Sequence, residues 1–313
     1  MIWLLLIALA VLIAVALLPR VAEARRKPMD GAARNTAPGE FVQLTDGVTH
    51  IHRRGTLRGP WVVCIHGLTT PEFVWDGMID GLTKLGFRVL SYDLYGRGFS
   101  DRPDLPNSRE FFLRQLEEVM EVAGVSETAT LIGYSMGGSI ASAYAVKYPE
   151  KVDRLILLAP AGLRMTDNRF ARLVRDTPVL GDWLMTVLGG RLCKSGALAE
   201  KDTLSTVPNI AHRQAAEVDY RGFLRSVLSS QRHMLAEDMF DDHRKLEEER
   251  VPVLAIWGKK DKVIPPSALG DMSQANRGAR HMTIEDAGHG LPYTHPRTVI
   301  EALKEFLREG QKA

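Results

Sequence analysis

The sequence predicts an α/β fold, with a mostly parallel sheet, helices on both sheet faces and one helical cap insertion. After about residue 40, short apolar runs of strand type alternate with segments whose small or apolar residues recur at helical spacing. Such alternation produces parallel strands joined by helices that cover both faces of a sheet. Between about residues 163 and 250 the alternation stops, and the pattern is that of several consecutive helices. We therefore expect one large domain, residues 41–313, that carries a helical cap.

The size and charge of the chain limit its function. About 270 of the 313 residues follow the N-terminal segments, which is enough for one large core. The formal net charge of +2 disfavours a nucleic-acid-binding protein. Cys64 lies in a predicted buried strand and Cys193 lies far along the chain, so we expect no disulfide framework.

The first predicted element is an apolar helix over residues 1–18, which contain no charged side chain. This length is about what a helix needs to cross the core of a bilayer. Pro19 and Arg20 are predicted to end the helix. A secretory signal peptide is the alternative, since residues 22–24 resemble a cleavage site, but the positive region that begins such peptides is missing. We therefore predict an uncleaved single-pass anchor.

Residues 19–40 are predicted to be a linker that does not pack on the domain. From Arg25 onwards this stretch is polar, basic and rich in small residues. Arg25, Arg26 and Lys27 follow the apolar helix, and basic residues beside a membrane span favour the cytoplasmic side. The sequence thus predicts a folded domain on the cytoplasmic face of a membrane.

The elements of the domain follow in order. Residues 107–110 are typical of a helix capping box. Strands are predicted at residues 61–65, 88–92, 129–132, 154–158, 251–257 and 281–284. Helices are predicted near residues 74–85, from the capping box to 122, at 138–148 and at 296–308. Functional side chains should gather where the parallel strands end, because their carboxyl ends share one edge of the sheet.

The pentapeptide Gly133-Tyr134-Ser135-Met136-Gly137 lies between a predicted strand and a predicted helix. A Gly-x-Ser-x-Gly sequence in this position holds the serine on a sharp strand-to-helix turn and exposes its hydroxyl. The two glycines leave room where strand and helix cross closely. Ser135 is therefore predicted to be a nucleophile.

A serine nucleophile needs a histidine that takes its proton and a carboxylate that orients the histidine. Asp261 follows the strand at 251–257, and His289 lies in a glycine-flanked loop after the strand at 281–284. We predict these two residues as the acid and the base. Alternative acids are Asp286, three residues before His289, and the pair Asp241 and Asp242, which lie in an acidic stretch typical of a solvated helix face.

Acyl transfer also needs donors that bind the oxyanion. The strand at 61–65 ends in His66-Gly67-Leu68, and Met136 begins the helix after the nucleophile. The backbone amides of Leu68 and Met136 are the predicted donors, with additional positive potential from the helix N-terminus. His66 is predicted to support this turn rather than to react.

The order Ser135, Asp261, His289, the His-Gly turn and the strand-plus-loop 91–101 together resemble the serine hydrolases of the α/β-hydrolase superfamily. The resemblance runs from about Phe41 to the C-terminus. It implies a covalent acyl-enzyme mechanism without a metal or an organic cofactor. The general plan is similar to that of membrane-anchored, monoacylglycerol lipase-like hydrolases.

Two other sites are disfavoured by spacing. His243 and its neighbouring carboxylates lack the spacing of a metal site. Gly96-Arg97-Gly98 begins like a dinucleotide-binding fingerprint, but no third glycine or helix follows. We interpret it as a turn.

The predicted cap begins with a basic, amphipathic helix that contains Arg169, Arg172 and Arg175 and ends at Pro178. The very apolar stretch 179–188 follows it. These residues either pack on the core or form an interfacial lid that meets lipid. We predict hydrolysis of lipophilic acyl esters, such as monoacylglycerols or lysolipids. Alternatives are carbon–carbon bond hydrolysis, acyl transfer or a catalytically silent membrane-tethered binding module.

Overall fold

The computed structural model describes residues 1–166 and 169–309. Its strands are β1 (Glu40–Leu44), β2 (Gly47–Gly55), β3 (Trp61–Ile65), β4 (Arg88–Tyr92), β5 (Ala129–Tyr134), β6 (Val152–Leu158), β7 (Val253–Gly258) and β8 (Arg280–Ile284).

The helices before and between the first six strands are α1 (Ile2–Ala24), α2 (Gly31–Arg34), α3 (Ile79–Lys84), α4 (Arg109–Val122) and α5 (Met136–Lys147). Between β6 and β7 lie α6 (Arg169–Asp176), α7 (Leu180–Leu184), α8 (Gly190–Leu198), α9 (Ile210–Glu217), α10 (Phe223–Arg232) and α11 (Phe240–Glu248). A π-helical turn over Met185–Gly189 joins α7 to α8. The remaining helices are α12 (Ser267–Ala275), α13 (Leu291–Thr294) and α14 (Pro296–Glu309).

The described strands form one sheet in the order β1-β2-β4-β3-β5-β6-β7-β8. β2 pairs antiparallel with β1 and with β4, and every pairing from β4 to β8 is parallel. The predicted mostly parallel sheet is therefore confirmed. Its parallel part carries the carboxyl ends of β3, β5 and β7 to one edge, where the predicted functional residues follow.

Alternate residues of the central strands belong to two different hydrophobic clusters. Val63 and Leu131 face a cluster that includes α4, α5 and α12, whereas Val62 and Ile132 face a cluster that includes α3 and α14. Strand side chains alternate between faces, so helices cover the sheet on both sides. A third cluster, built on Phe223, lies within the helices between β6 and β7. The cap helices thus have their own small core.

The N-terminal helix is longer than predicted, because α1 continues through Pro19 to Ala24. Proline has no N–H, so the carbonyl of Val15 loses its partner four residues on. The Trp183 indole Nε1–H donates to this carbonyl at 2.8 Å. The sequence-based helix end was wrong because a tertiary contact replaces the missing backbone bond.

The segment after α1 also differs from the expectation, because it packs against the domain. Lys27 N donates to Asp219 O and Arg221 N donates to Lys27 O, each at 2.8 Å. Arg34 contacts the carbonyl of Phe99 and the carboxylate of Asp101. The prediction of a tether without packing was therefore wrong: the polar composition that suggested a free linker supplies hydrogen bonds to the domain.

The helix predicted near residues 74–85 is also divided. A 3₁₀ turn covers Glu72–Trp75, and α3 begins only at Ile79. Gly77 lies between them, and a Cβ there would meet the Thr206 Oγ1 of the cap at 2.1 Å. The close approach of the cap explains why a glycine is needed at this position.

Candidate active site

Ser135 lies at the turn between β5 and α5, with φ 53° and ψ −119°. A non-glycine residue adopts this conformation only where the surroundings hold it. Ser135 N donates to Leu158 O at 3.0 Å, and Ala161 N donates to Ser135 O at 3.1 Å. The backbone is thus fixed to the end of β6 on both sides of the serine.

Gly133 and Gly137, on either side of Ser135, lie too close to neighbouring backbone atoms to carry a side chain. A Cβ on Gly133 would lie 2.4 Å from Gly137 O, and a Cβ on Gly137 would lie 2.0 Å from Ile65 O. Both distances are far below van der Waals contact with backbone atoms, which cannot move aside. The glycines therefore let α5 cross β5 and β3 closely enough to project Ser135 from the turn.

Asp261 follows β7 in a short turn and is buried. Its Oδ1 accepts hydrogen bonds from Val263 N at 2.7 Å and Ile264 N at 2.9 Å. These two amides orient the carboxylate, so that Oδ2 points at the histidine loop after β8. The acid is therefore held in place by backbone amides of its own loop.

His289 contacts both other residues. Its Nδ1 lies 2.8 Å from Asp261 Oδ2, and its Nε2 lies 3.1 Å from Ser135 Oγ. A carboxylate is an acceptor, so Nδ1 carries the proton and Nε2 is free to accept one from the serine. The Tyr134 ring packs 5.2 Å from the imidazole and limits its rotation. The structure therefore brings Ser135, His289 and Asp261 into one hydrogen-bonded chain.

The alternative acids lie elsewhere. Asp286 is exposed and pairs with His295 at 3.4 Å, and this hydrogen bond lowers the pKa of Asp286. Asp242 binds the Arg109 guanidinium with both oxygens, at 2.7 and 2.9 Å. The expected solvated face was wrong for Asp242 and for His243, which are buried, whereas Asp241 is exposed. The ion pair with Arg109 explains how Asp242 is buried.

The predicted oxyanion donors lie on either side of the nucleophile. Met136 begins α5 directly after Ser135, and a Cβ on Gly67, the residue before Leu68, would lie 3.2 Å from Ser135 Cβ. Within the described residues, neither the Leu68 nor the Met136 N–H donates a hydrogen bond to the protein. Both amides are thus free for a ligand.

His66 supports the peptide that carries the Leu68 N–H. Its Nε2 accepts from Leu94 N at 2.9 Å, so its Nδ1 carries the proton that it donates to Gly67 O at 2.8 Å. The Gly67 carbonyl and the Leu68 N–H belong to the same planar peptide group. Complete burial lowers the pKa of His66 to about 4. The ring is therefore neutral and keeps this peptide in one orientation.

Arg97 is a site residue that the sequence did not reveal, since it was interpreted only as part of a turn. Its buried guanidinium donates to Leu68 O at 2.9 Å and to Ser230 Oγ in α10 at 2.8 Å. Burial lowers the pKa of Arg97 to about 9, below its ordinary value. Arg97 thus links the oxyanion turn to the cap. The glycines on both sides of it were the available signal.

The cap packs directly over this region. The Leu68 side chain contacts the cap cluster that contains Phe223 and Leu224. Ser135 is only 7% exposed, and the His289 side chain is 16% exposed. Among the described residues, no group of three or more His, Cys, Asp or Glu side chains is placed to hold a metal ion. The arrangement can perform nucleophilic acyl chemistry beneath the cap.

A cavity of about 610 Å³ lies away from Ser135. It lies where α1 meets the cap, between Glu23, Arg102, Asp182 and Arg221. A basic crevice of about 370 Å³ also adjoins the end of α1. The geometry of the hydrogen-bonded chain, rather than cavity size, identifies the candidate active site.

Known proteins share this architecture. The model of the Alpha/beta hydrolase family matches residues 62–302. Monoacylglycerol lipase ABHD6 of Bos taurus is 23% identical over 276 residues, which cover 79% of this chain and 75% of that protein.

Two solved structures show the same fold. An enol-lactonase from Burkholderia xenovorans LB400 superposes with a TM-score of 0.72 and 21% identity, covering 86% of this chain and 100% of its own. A meta-cleavage product hydrolase from Pseudomonas fluorescens IP01 superposes with a TM-score of 0.66 and 24% identity. The match covers 87% of this chain and 98% of that hydrolase.

Proposed function

The chain belongs to the alpha/beta hydrolase family, and from this premise we propose that it is a serine-dependent carboxylic-ester hydrolase acting on lipophilic acyl esters at a membrane. The observation that carries the proposal is the hydrogen-bonded chain from Asp261 through His289 to Ser135. A nucleophile, a base and an orienting acid within hydrogen-bond distance are what activation of a serine requires.

In the first step, Ser135 Oγ attacks the acyl carbon while its proton passes to His289 Nε2. The carbonyl oxygen becomes an oxyanion, which the Leu68 and Met136 amides stabilise. Asp261 stabilises the imidazolium without taking its proton. The ester carbon–oxygen bond then breaks, and His289 returns the proton to the leaving alcohol.

In the second step, water attacks the acyl-enzyme and gives its proton to His289. Collapse of this second oxyanion releases the carboxylic acid and restores the Ser135 hydroxyl. Every proton moves through His289 Nε2, so the proposed mechanism needs no metal or organic cofactor.

The membrane part of the proposal rests on α1 and on the cap. α1 has a mean hydropathy of 3.0 over its most apolar window and is long enough to cross a membrane. In the cap, Val179 is 81% exposed and Leu180 is 51% exposed, and Phe170 and Leu173 are exposed on α6. Apolar side chains left in contact with solvent favour a lipid-facing surface. Similarity to monoacylglycerol lipase ABHD6 supports acyl esters such as monoacylglycerols or lysolipids as substrates.

The test is hydrolysis by the full chain in neutral detergent. Wild-type protein and Ser135→Ala are compared on p-nitrophenyl esters and monoacylglycerols from two to eighteen acyl carbons. We expect activity on long chains that falls on the order of a millionfold in the variant, by analogy with another serine hydrolase. The thermal midpoint of Ser135→Ala serves as the folding control.

Other results would change the assignment. Serine-dependent activity confined to short esters would indicate a small-ester esterase. If the wild-type protein hydrolyses none of the esters, Ser135, His289 and Asp261 would be assigned to another reaction. The candidates are carbon–carbon bond hydrolysis and acyl transfer to an acceptor other than water. A folded protein that is also inert in assays of those two reactions would indicate a silent binding module.

A further inference from the structure

The N-terminal helix α1 contacts the cap at a defined position along its length, the carbonyl of Val15. Pro19 leaves the Val15 carbonyl without its helical partner, and the Trp183 indole N–H donates to that carbonyl at 2.8 Å. Val15 lies within the apolar part of α1, four residues before the proline. The cap therefore contacts α1 at the level of the acyl chains near the membrane surface, where tryptophan is commonly found.

A second set of contacts fixes the end of α1. The Arg26 guanidinium pairs with Glu23 and donates to Thr186 O, and the Glu23 carboxylate accepts from Gly222 N. Lys27 then joins the cap by backbone hydrogen bonds to Asp219 and Arg221. Contacts at both levels hold α1 to the domain, so the position of the domain relative to the membrane is set by structure rather than by a free tether.

The basic crevice lies beside this junction. Five basic side chains line it: Arg25, Arg26, Lys27, Arg191 and Lys194. Asp219 is the acidic lining residue and is bound by Lys194 at 2.5 Å. Arg25, Lys27 and Arg191 are exposed, and among the described residues none of their side chains has a hydrogen-bond or ion-pair partner. Three cations therefore remain uncompensated around one crevice.

The depth of the crevice indicates which anion it fits. The charge-free residues 2–18 of α1 are about 26 Å long, close to the roughly 30 Å core of a bilayer. The crevice at the end of α1 thus lies at the level of the lipid headgroups. Val187 and Val218 also line it, and the apolar helix α1 ends at Ala24, directly before Arg25 of the crevice. A ligand with an anionic headgroup and an acyl chain matches both the basic crevice and the apolar helix beside it.

We propose that this crevice binds the phosphate headgroup of an anionic phospholipid, as a site separate from the substrate site at Ser135. The larger cavity on α1 does not fit this ligand, because Glu23, Asp101 and Asp182 line it together with its arginines. The headgroup is held by Arg25, Lys27 and Arg191, and one acyl chain lies along α1. Such a lipid fixes the cap at the membrane surface. The site rests on the proposed insertion of α1 but not on ester hydrolysis.

The test uses the full chain reconstituted in phosphatidylcholine bilayers that contain trace spin-labelled lipid. The fraction of immobilised label is compared for phosphatidylglycerol and phosphatidylcholine. We expect the wild-type chain to prefer phosphatidylglycerol by about threefold or more at low salt, and less in high salt. The variant Arg25→Gln/Lys27→Gln/Arg191→Gln should bring this ratio close to one.

A matched control removes three other exposed cations, as Arg58→Gln/Lys84→Gln/Arg297→Gln, and should keep the wild-type ratio. The proposal would be overturned if the crevice variant kept the wild-type preference for phosphatidylglycerol over phosphatidylcholine. It would also be overturned if the control variant lost this preference to the same extent as the crevice variant. Displacement of the labelled lipid by millimolar glycerol 1-phosphate would assign the crevice to a soluble anion instead. Carbonate extraction of the same vesicles shows separately whether α1 is inserted, and the thermal midpoint of each variant shows that it is folded.

Discussion

Ser135 occupies a backbone conformation that costs on the order of 1–3 kcal/mol for a residue with a side chain. The hydrogen bonds to Leu158 and Ala161 offset this cost by tying the turn to the end of β6. The same turn directs Oγ towards His289, and the Met136 N–H has no acceptor within residues 1–166 and 169–309. One local geometry thus serves the proposed nucleophile and the proposed oxyanion donor together.

The acid of the candidate site can be assigned by comparing two conservative variants. Asp261→Asn should lower kcat roughly 10⁴-fold, because an amide N–H facing His289 Nδ1 favours the wrong tautomer. Asp286→Asn should keep wild-type activity, since Asp286 pairs with His295 on the surface. Steady-state rates on one ester substrate measure both, and wild-type activity in Asp261→Asn would falsify the assignment.

At the level of elements, the crossing of α5 over β3 depends on Gly137. Gly137→Ala places a methyl group 2.0 Å from Ile65 O and should leave the protein inactive and largely unfolded. Gly270→Ala is the matched control, because a Cβ there meets nothing within 4 Å. Gly270 lies inside α12, so alanine should raise the free energy of unfolding by up to about 1 kcal/mol.

The yield of purified protein and its thermal midpoint in neutral detergent are measured for both glycine variants. A normally folded Gly137→Ala protein would show that α5 and β3 can move further apart than the structure indicates. The comparison isolates the close approach, because both substitutions add the same methyl group to a helix.

The junction between the cap and the sheet contains a buried carboxyl group. Glu217, at the end of α9, accepts from Gly98 N at 2.8 Å and lies 3.8 Å from Arg102. Burial raises the pKa of Glu217 to about 7, and the nearby Arg102 only partly opposes this shift. Between pH 4.5 and about 7 the folded state therefore holds more protons than the unfolded state, and the free energy of unfolding falls as the pH rises.

The variant Glu217→Gln should remove this dependence. It keeps the acceptor for Gly98 N–H but cannot ionise, so its stability relative to wild type should rise by on the order of 3 kcal/mol from pH 5 to pH 8. Thermal midpoints of both full-length proteins in neutral detergent at the two pH values measure the difference. A difference that does not change with pH would contradict the ionisation of Glu217 in this range.

At the scale of the whole molecule, α1 is predicted to hold the domain at a membrane. The structure describes α1 in full and none of its residues is buried, so deletion of residues 1–24 should leave the domain folded. The shortened chain should move from the carbonate-resistant membrane fraction to the soluble fraction and still hydrolyse a water-soluble short ester. Fractionation of cells that express the two forms measures this outcome, and a shortened chain that stays in the membrane fraction would indicate that the cap alone suffices for anchoring.

The side of the membrane is tested with the full chain. Arg25, Arg26 and Lys27 favour the cytoplasmic side, so protease added to intact spheroplasts should not digest the domain. Digestion without lysis would place the domain on the opposite face.

The strand–helix alternation and the position of the turn that carries Ser135 could be predicted from the amino-acid sequence alone. These features arise from short-range patterns: apolar runs of strand length, capping residues such as Ser108, and the glycines around Ser135. The positions of Asp261 and His289 followed from the rule that parallel strands end at one edge of the sheet. Such patterns can be read without coordinates because they depend on neighbouring residues or on the general geometry of parallel sheets.

The contacts between distant segments could not be predicted in this way and required the three-dimensional structure. It showed that α1 continues through Pro19 because Trp183 replaces the missing hydrogen bond, and that the basic stretch after α1 packs on the cap. It also showed Arg97 joining the oxyanion turn to α10, and Asp242 buried against Arg109. Each contact joins residues far apart in sequence, and whether a polar side chain is solvated or satisfied by such a partner has no signature in local sequence.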